Sequence, residues 1–551
     1  MLNKLAGLLW GRSEVADYPF IEHDVARYHV LTQDAQPAML DQQTWREMLL
    51  PAYSERLASG TSIFGRQMLH ARLRRQQATP QSLQRLRRFG AEPGMRERLQ
   101  QHCQPLRQAG AEPGTALFGP ELPATPAWVR WLGVLPYAFL GSVALAFFWG
   151  PAWIAVVAGW LLLMALQAVH HERVQEWNRV LYSLRLMLQV HAEVGAAAAQ
   201  LAPASGADRA ETADGIGLAA FIPGGGGIKR LRHRLARPVM EQLPLASEYA
   251  NWLMLSNVRH YYASRATVMR QRDLLRASFV LVADLDADLA LARHLAQTPR
   301  HCWTQEAEPG ALALEALYHP LLDEAAPLSL QLDEGRGAFI SGQNGVGKST
   351  LLRSIGLNLI TGRAFGFCYA AAAVLPLAAL YSSMQGEDSL GGGESLYQAE
   401  LRRAQELLAL GGQAPPVVFI IDEIFRGTNH LESISAAAAV LHELTARGTV
   451  IVSSHNLVLG PLLQAQLLPL CVQREGENGL RLRAGLLNET NGLRLLSERN
   501  FGADIEARAA RVFDWLSDYM AHPGDCSGVL AGGDAPPSSP APSVAPALAL
   551  L

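Results

Sequence analysis

The sequence predicts a chain in two halves. The first is mainly α-helical and carries a long uncharged helical hairpin. The second is an α/β domain built on a parallel sheet. Three observations predict this. A glycine-rich run, Gly342-Gln343-Asn344-Gly345-Val346-Gly347-Lys348-Ser349-Thr350, sits between the apolar strand Gly337–Ser341 and a helix opening at Leu351. A second apolar strand, Val417-Val418-Phe419-Ile420-Ile421, ends in the adjacent acids Asp422 and Glu423. From Trp131 to Val169 there is no Asp, Glu, Lys or Arg.

The glycine run fits G-x-x-x-x-G-K-[ST], in the order strand, loop, helix that the pattern requires. Glycines let the backbone curl so that several N–H groups face one anion, and a helix N-terminus adds partial positive charge there. Gly342, Gly345 and Gly347 are expected to shape this cradle for the phosphates of ATP, with Thr350 beside it. Lys348 is expected to reach the β- and γ-phosphates, and the Ser349 hydroxyl to ligate Mg²⁺. A chance glycine turn is the competing reading, and it leaves the flanking strand and helix unexplained.

The strand before Asp422 is apolar throughout, as a strand covered on both faces of a parallel sheet must be. Its carboxyl end is where α/β sheets bind ligands. Asp422 is therefore expected in the Mg²⁺ shell and Glu423 as the general base that polarises the attacking water. A third strand, Gly448–Ser454, ends at His455, a residue placed to sense the γ-phosphate. Alone, either of these would read as an ordinary strand end; the glycine loop gives them a common purpose.

These motifs stand in an order that resembles the MutS family over residues 318–515. Tyr318-His319-Pro320-Leu321 resembles the family's HP segment, GQNGVGKST its GPNMGGKST, and Phe365–Ala370 the segment after the first helix. DEIFRGTNHLES, from Asp422 to Ser433, is similar to DEIGRGTSTYDG, and Ser453-Ser454-His455 stands where the family has ATH. Glu489–Leu493 and the helix over 503–516 resemble its C-terminal helical dimerisation element. The fold this implies is a P-loop NTPase domain of the ABC and MutS type, acting as a homodimer on ATP and Mg²⁺. In such ATPases a segment like Ser389–Tyr397 crosses to the partner's nucleotide. The resemblance thus implies that Ser395 contacts the other subunit's γ-phosphate and that Asn344 lines the phosphate site. Upstream, Leu57–Leu69 resembles the family's core segment T-x-M-G-S-R-x-L, and Val280–His294 its helix leading back to the ATPase. Mismatch recognition is not carried over. Phe20-Ile21-Glu22 matches the family's Phe-x-Glu wedge in letters, but the residues ahead of Leu57 are too few for the domain that holds it.

The uncharged run breaks once, at Gly150-Pro151, and each half approaches the ~20 residues that cross a bilayer. Trp128, Trp131, Trp149, Trp153 and Trp160 include several at the expected span ends, and Arg130, Arg173, Arg179 and Arg185 flank the run. The expectation is two transmembrane helices in the lipid bilayer of the inner (cytoplasmic) membrane, with both chain ends and the ATPase in the cytoplasm. The competing reading is a buried helical pair in a soluble core. Met1–Trp10 is too short an apolar run for a signal-peptide core.

The expected organisation is a helical MutS core-like region over 1–127, the hairpin over 128–170, and a helical lever-like region over 171–300. A glycine-rich linker over 203–227 lies inside the last of these. The ATPase domain with its dimerisation element follows over 301–520, then a Pro-, Ala- and Ser-rich tail over 521–551 that is expected to be disordered.

Net charge is −3 and the pI near 6.6, so bulk charge supports no nucleic-acid partner. One local cluster, Arg72, Arg74, Arg75, Arg85, Arg87 and Arg88, could form a basic patch. Five cysteines without a C-x-x-C pair speak against a disulfide framework or zinc site. The reading reached is a membrane-anchored ATPase that couples ATP turnover at composite dimer sites to conformational change. The alternative is a DNA-binding repair or recombination factor using ATP as a clamp switch. A transporter ATPase ranks last, because two short apolar helices without intramembrane charge make a poor substrate pathway.

Overall fold

The computed structural model describes residues 19–35, 39–201, 217–222, 225–236, 250–298, 300–306, 311–322, 325–333, 335–376, 378–384, 396–411, 417–475, 479–487 and 502–521. The chain divides into two compact units. The first comprises Met1–Leu40, Pro51–Pro299 and Arg363–Gly366; the second comprises Asp41–Leu50, Arg300–Gly362 and Phe367–Leu551.

In the first unit, helix α1 (Ile63–Arg75) is buried over most of its length. Its start is capped from a distance: the carboxylate of Asp286 accepts bonds from the Ser62 hydroxyl at 2.5 Å and the Ser62 amide at 3.2 Å. A β-carbon at Gly65 would lie 2.6 Å from that carboxylate, so the resemblance segment carries glycine there for space. Helix α2 (Pro80–Ala91) turns Leu86 and Phe89 inward, as its spacing predicts.

The arginine cluster does not form the expected patch. Arg72, Arg74 and Arg85 are buried at 5%, 8% and 3% exposure. Arg72 pairs with Asp284 at 2.7 Å and Asp288 at 2.6 Å, and Arg85 with Asp288 at 2.6 Å. Buried guanidiniums must find carboxylates, and these sit on the returning helix Arg272–Gln297. Only Arg87 and Arg88 of the six face solvent, and Arg88 pairs with Glu92 at 2.7 Å.

The uncharged run forms helical segments that pack on one another. A 3₁₀ segment, Ala127–Gly133, meets α3 (Leu135–Ala146) at a bend of 44°. After a turn, α4 (Ala152–Leu201) runs as one helix of 50 residues, longer than the expected arm because nothing in its sequence stops it at residue 170. The two arms pack closely, and a β-carbon at Gly159 would come within 3.1 Å of the Phe139 ring. One described helix is long and apolar enough to cross a membrane, or two if the bent pair counts as one span. Only 17% of the apolar window of α4 is buried, unlike a helix in a soluble core. Phe148, at the tip, is 91% exposed. At the base, His170 Nε2 lies 3.1 Å from the Tyr262 hydroxyl. The glycine run departs from expectation in part: Gly225–Gly227 form the first turn of a helix, α5 (Gly225–Leu235), rather than linker. Most of residues 203–224 lie outside the described residues.

The second unit is an α/β layer structure. Its main sheet contains β1 (Gly337–Gly342), β2 (Ala379–Ser383), β3 (Val417–Asp422), β4 (Gly448–Ser453), β5 (Leu467–Glu475) and β6 (Gly479–Ala484). The order is β6-β5-β1-β4-β3-β2, parallel throughout except for the β5–β6 hairpin. β1 and β3 bury every residue, which explains their unbroken apolar runs. Helix α6 (Lys348–Phe365) follows β1, α7 (Leu396–Leu410) precedes β3, and α8 (His430–Thr445) joins β3 to β4. A smaller four-stranded sheet includes Leu312–Leu317 and Leu328–Leu332. The short helix Gln42–Glu47 belongs to this unit: Thr44 Oγ1 accepts the Ser382 amide at 2.9 Å and Asp41 pairs with Arg403 at 2.6 Å.

Candidate functional site

Parallel order places the carboxyl ends of β1, β4 and β3 side by side, and all three sequence motifs sit there. β1 runs into the loop 343–347, and Gly345 and Gly347 adopt φ of +73° and +103°. A β-carbon would strain both positions, which is why the pattern puts glycine there. Lys348 opens α6, and its Nζ donates to the carbonyls of Gly342 at 3.0 Å and Gln343 at 3.2 Å. The ammonium thus curls back over the loop. Burial pushes the Lys348 pKa below the usual amine range, while the carboxylates of Glu423 and Asp422 oppose the shift. Ser349 is half-buried, Thr350 is exposed, and Asn344 and Gly345 form the exposed crest of the loop.

Asp422 ends β3 at 5% exposure, and the Ser453 hydroxyl donates to its Oδ1 from the register-paired position on β4. Glu423 leaves the strand with φ +56° and donates its amide to the Ser453 carbonyl at 2.9 Å. This redirects its side chain along the sheet edge. Oε1 lies 2.7 Å from His455 Nε2, and Oε2 lies 3.1 Å from Arg426 Nε. Burial alone would raise the Glu423 pKa. The His455 hydrogen bond and charge, then Arg426 and Lys348, outweigh it and hold the carboxyl below its ordinary range. The group is therefore ionised at neutral pH, as a proton acceptor must be.

Lys348, Asp422, Glu423 and His455 therefore gather beyond the carboxyl ends of the three adjacent strands β1, β4 and β3. Ser395 lies outside the described residues, as do the rest of 389–395 and Glu489–Leu493. A helix over Ala503–Ala521 is present.

Beside the loop lies a cavity of about 480 Å³, lined by Leu317, His319, Leu322, Leu351 and Leu480 among others. Burial, then the charge of Arg353, lowers the His319 pKa to about 4, so its ring is neutral at pH 7. His319 Nδ1 accepts the Leu321 amide at 3.3 Å. Sequence reasoning gave His319 no role and passed over Leu317 and Leu480. His319-Pro320 was the available signal; the leucines, drawn from separate strands, offered none.

Mg²⁺ needs few protein oxygens and keeps water or phosphate as its other ligands. Asp422 and Ser349 fit that need, and no cluster of three or more His, Cys, Asp or Glu able to hold a metal occurs among the described residues.

Comparison with known proteins agrees with this geometry. Residues 338–469 match the family described as MutS domain V. The chain is 32% identical over 189 residues to the DNA mismatch repair protein MutS of Thermotoga neapolitana, covering 33% of this chain and 23% of that protein. It is 28% identical over 265 residues to MutS of Thermus aquaticus, covering 46% and 32%. It is 27% identical over 223 residues to msh3 of Emericella nidulans, covering 39% and 20%. The chain thus spans a third or less of the length of these relatives. Through residues 338–469, which carry the glycine loop and the paired acids, the chain is similar to the MutS family.

Proposed function

We propose that this chain is a membrane-anchored ATPase that binds ATP and Mg²⁺ at its second unit and works as a homodimer. The observation that carries the reading is that the glycine loop with Lys348, the acids Asp422 and Glu423, and His455 stand at the same ends of three adjacent parallel strands, with Glu423 ion-paired to His455 at 2.7 Å. The loop 343–347 and the start of α6 direct backbone N–H groups and a helix dipole at one place, which favours a polyphosphate. Lys348 exchanges its two carbonyl contacts for phosphate oxygens. Leu317, His319 and Leu480 line a cavity beside the loop that could take a base. Asp422 and Ser349 would hold Mg²⁺, which would supply charge neutralisation at the phosphates. Glu423 orients the attacking water and takes its proton, and His455 fixes the carboxylate that does so. Ser395 reaches across the dimer, as the family resemblance implies.

The apolar faces of the α3–α4 hairpin support the anchor. Ile154, Val157 and Leu161 are 75%, 54% and 56% exposed, a cost that lipid removes. The cytoplasmic membrane, with the ATPase inside the cell, is the location this favours.

A second reading, a DNA-binding repair factor, is favoured by the names of the relatives, which are mismatch repair proteins. Burial of the arginine cluster weighs against that particular patch as its contact surface. ATP hydrolysis by the detergent-solubilised protein, measured with and without duplex and branched DNA, tests both. No hydrolysis sinks the ATPase reading, and strong stimulation by DNA, reversed by salt, places the second reading first.

A further inference from the structure

Two residues without glycine's freedom hold left-handed backbone in the turn after β3. Glu423 and Phe425 both have φ +56°. The pattern quoted above for the family has glycine where this chain has Phe425. A β-carbon disfavours that conformation, so the surroundings must hold it. Glu423 is held by Ser453 and His455, and the rest of the turn is held from α7. The Phe425 ring is fully buried and meets Tyr397 edge-on, centroids 6.0 Å apart at 73°. Glu400 Oε2 accepts the amides of Arg426 at 2.9 Å and Gly427 at 3.2 Å. A β-carbon at Gly427 would lie 2.6 Å from the Tyr397 nitrogen, so turn and helix touch backbone to backbone. Arg426 then returns its guanidinium to Glu423 Oε2 at 3.1 Å.

These contacts form a chain from helix to base: Glu400 fixes the Arg426 backbone, and the Arg426 side chain fixes Glu423. We propose that Glu400 is a positioning residue for Glu423, with Phe425 as the pin that seats the turn on α7. Any displacement of α7 is then transmitted to the carboxylate that orients water. This rests on the hydrolytic role proposed for Glu423. It adds a residue that touches neither nucleotide nor metal.

The test compares wild type, Glu400→Ala, Glu400→Gln and Phe425→Leu in full-length detergent-solubilised protein. ATP hydrolysis and the affinity for a fluorescent ATP analogue are measured across pH. Glu400→Ala is expected to lower kcat at least about tenfold while affinity changes less than twofold, since misplacement of a reacting group acts on rate. Glu400→Gln keeps a carbonyl acceptor and should recover much of the rate. Phe425→Leu keeps an apolar side chain but loses the ring contact and should resemble Glu400→Ala, which provides an independent arm if that variant fails to fold. An active wild type together with unchanged kcat in both Glu400→Ala and Phe425→Leu overturns the coupling alone. A wild type that binds but never hydrolyses ATP overturns the role of Glu423 and this inference with it.

Discussion

Glu423 Oε1 and His455 Nε2 lie 2.7 Å apart, although their residues stand beyond the ends of two different strands. The contact exists because β3 and β4 are parallel and in register from Val417 with Gly448 to Asp422 with Ser453. It gives Glu423, the proposed base, a partner that both orients it and favours its charged form. His455→Ala should therefore raise the Glu423 pKa toward its ordinary value, moving the acid limb of kcat to higher pH. An acid limb that stays in place would remove His455 from this role.

Lys348→Ala and Glu423→Gln should separate binding from chemistry. The first removes the cation proposed to meet the phosphates and is expected to abolish nucleotide binding. The second is expected to retain binding and stop turnover. Equilibrium binding and phosphate release on the two variants check this; sustained release by Glu423→Gln would exclude it as the base.

Asp286 makes the helical unit sensitive to pH. Burial raises its pKa from 3.8 to about 6, despite the Ser62 and Gly65 bonds and the charge of Arg293 that pull it down. The folded chain thus holds the proton more tightly than the unfolded one. The stabilisation is complete below about pH 4 and is lost as pH rises towards 6, by on the order of 2–3 kcal/mol. Melting temperature should fall over that window in the wild type and stay flatter in Asp286→Asn. Parallel curves for the two would refute it.

Asp288 is fully buried between Arg72 and Arg85. Asp288→Asn leaves two guanidiniums without their shared charge and should cost about 3–5 kcal/mol. Asp284, whose side chain is 20% exposed, pairs with Arg72 alone, and Asp284→Asn should cost clearly less. Thermal unfolding ranks the two, and equal losses would contradict the burial argument.

Val157→Arg places a charge on the exposed face of α4. In a bilayer this costs roughly 2.5–3.5 kcal/mol, and flotation with reconstituted vesicles should fall. ATP hydrolysis in detergent should not change. A wild-type chain that stays with the soluble fraction in this assay would remove the membrane anchor itself.

The glycine loop, the paired acids and the uncharged run were legible in the sequence because each depends on neighbours within a few residues. Glycine spacing, a run of apolar residues and an absence of charge need no tertiary contact to be read. The partners of those residues were not legible. Glu400 reaches Arg426 across 26 positions, and His319 meets Leu480 only where two separate segments converge on the loop. The arginines of 72–88 looked like a surface patch because charge alone does not reveal burial; Asp284 and Asp288 lie more than 200 positions away. The sequence by itself determined the chemistry of the site, since residue type and local order set what a loop can bind. Tertiary structure alone decided which groups hold that chemistry in place, since strand register and helix packing bring distant residues within a hydrogen bond of each other.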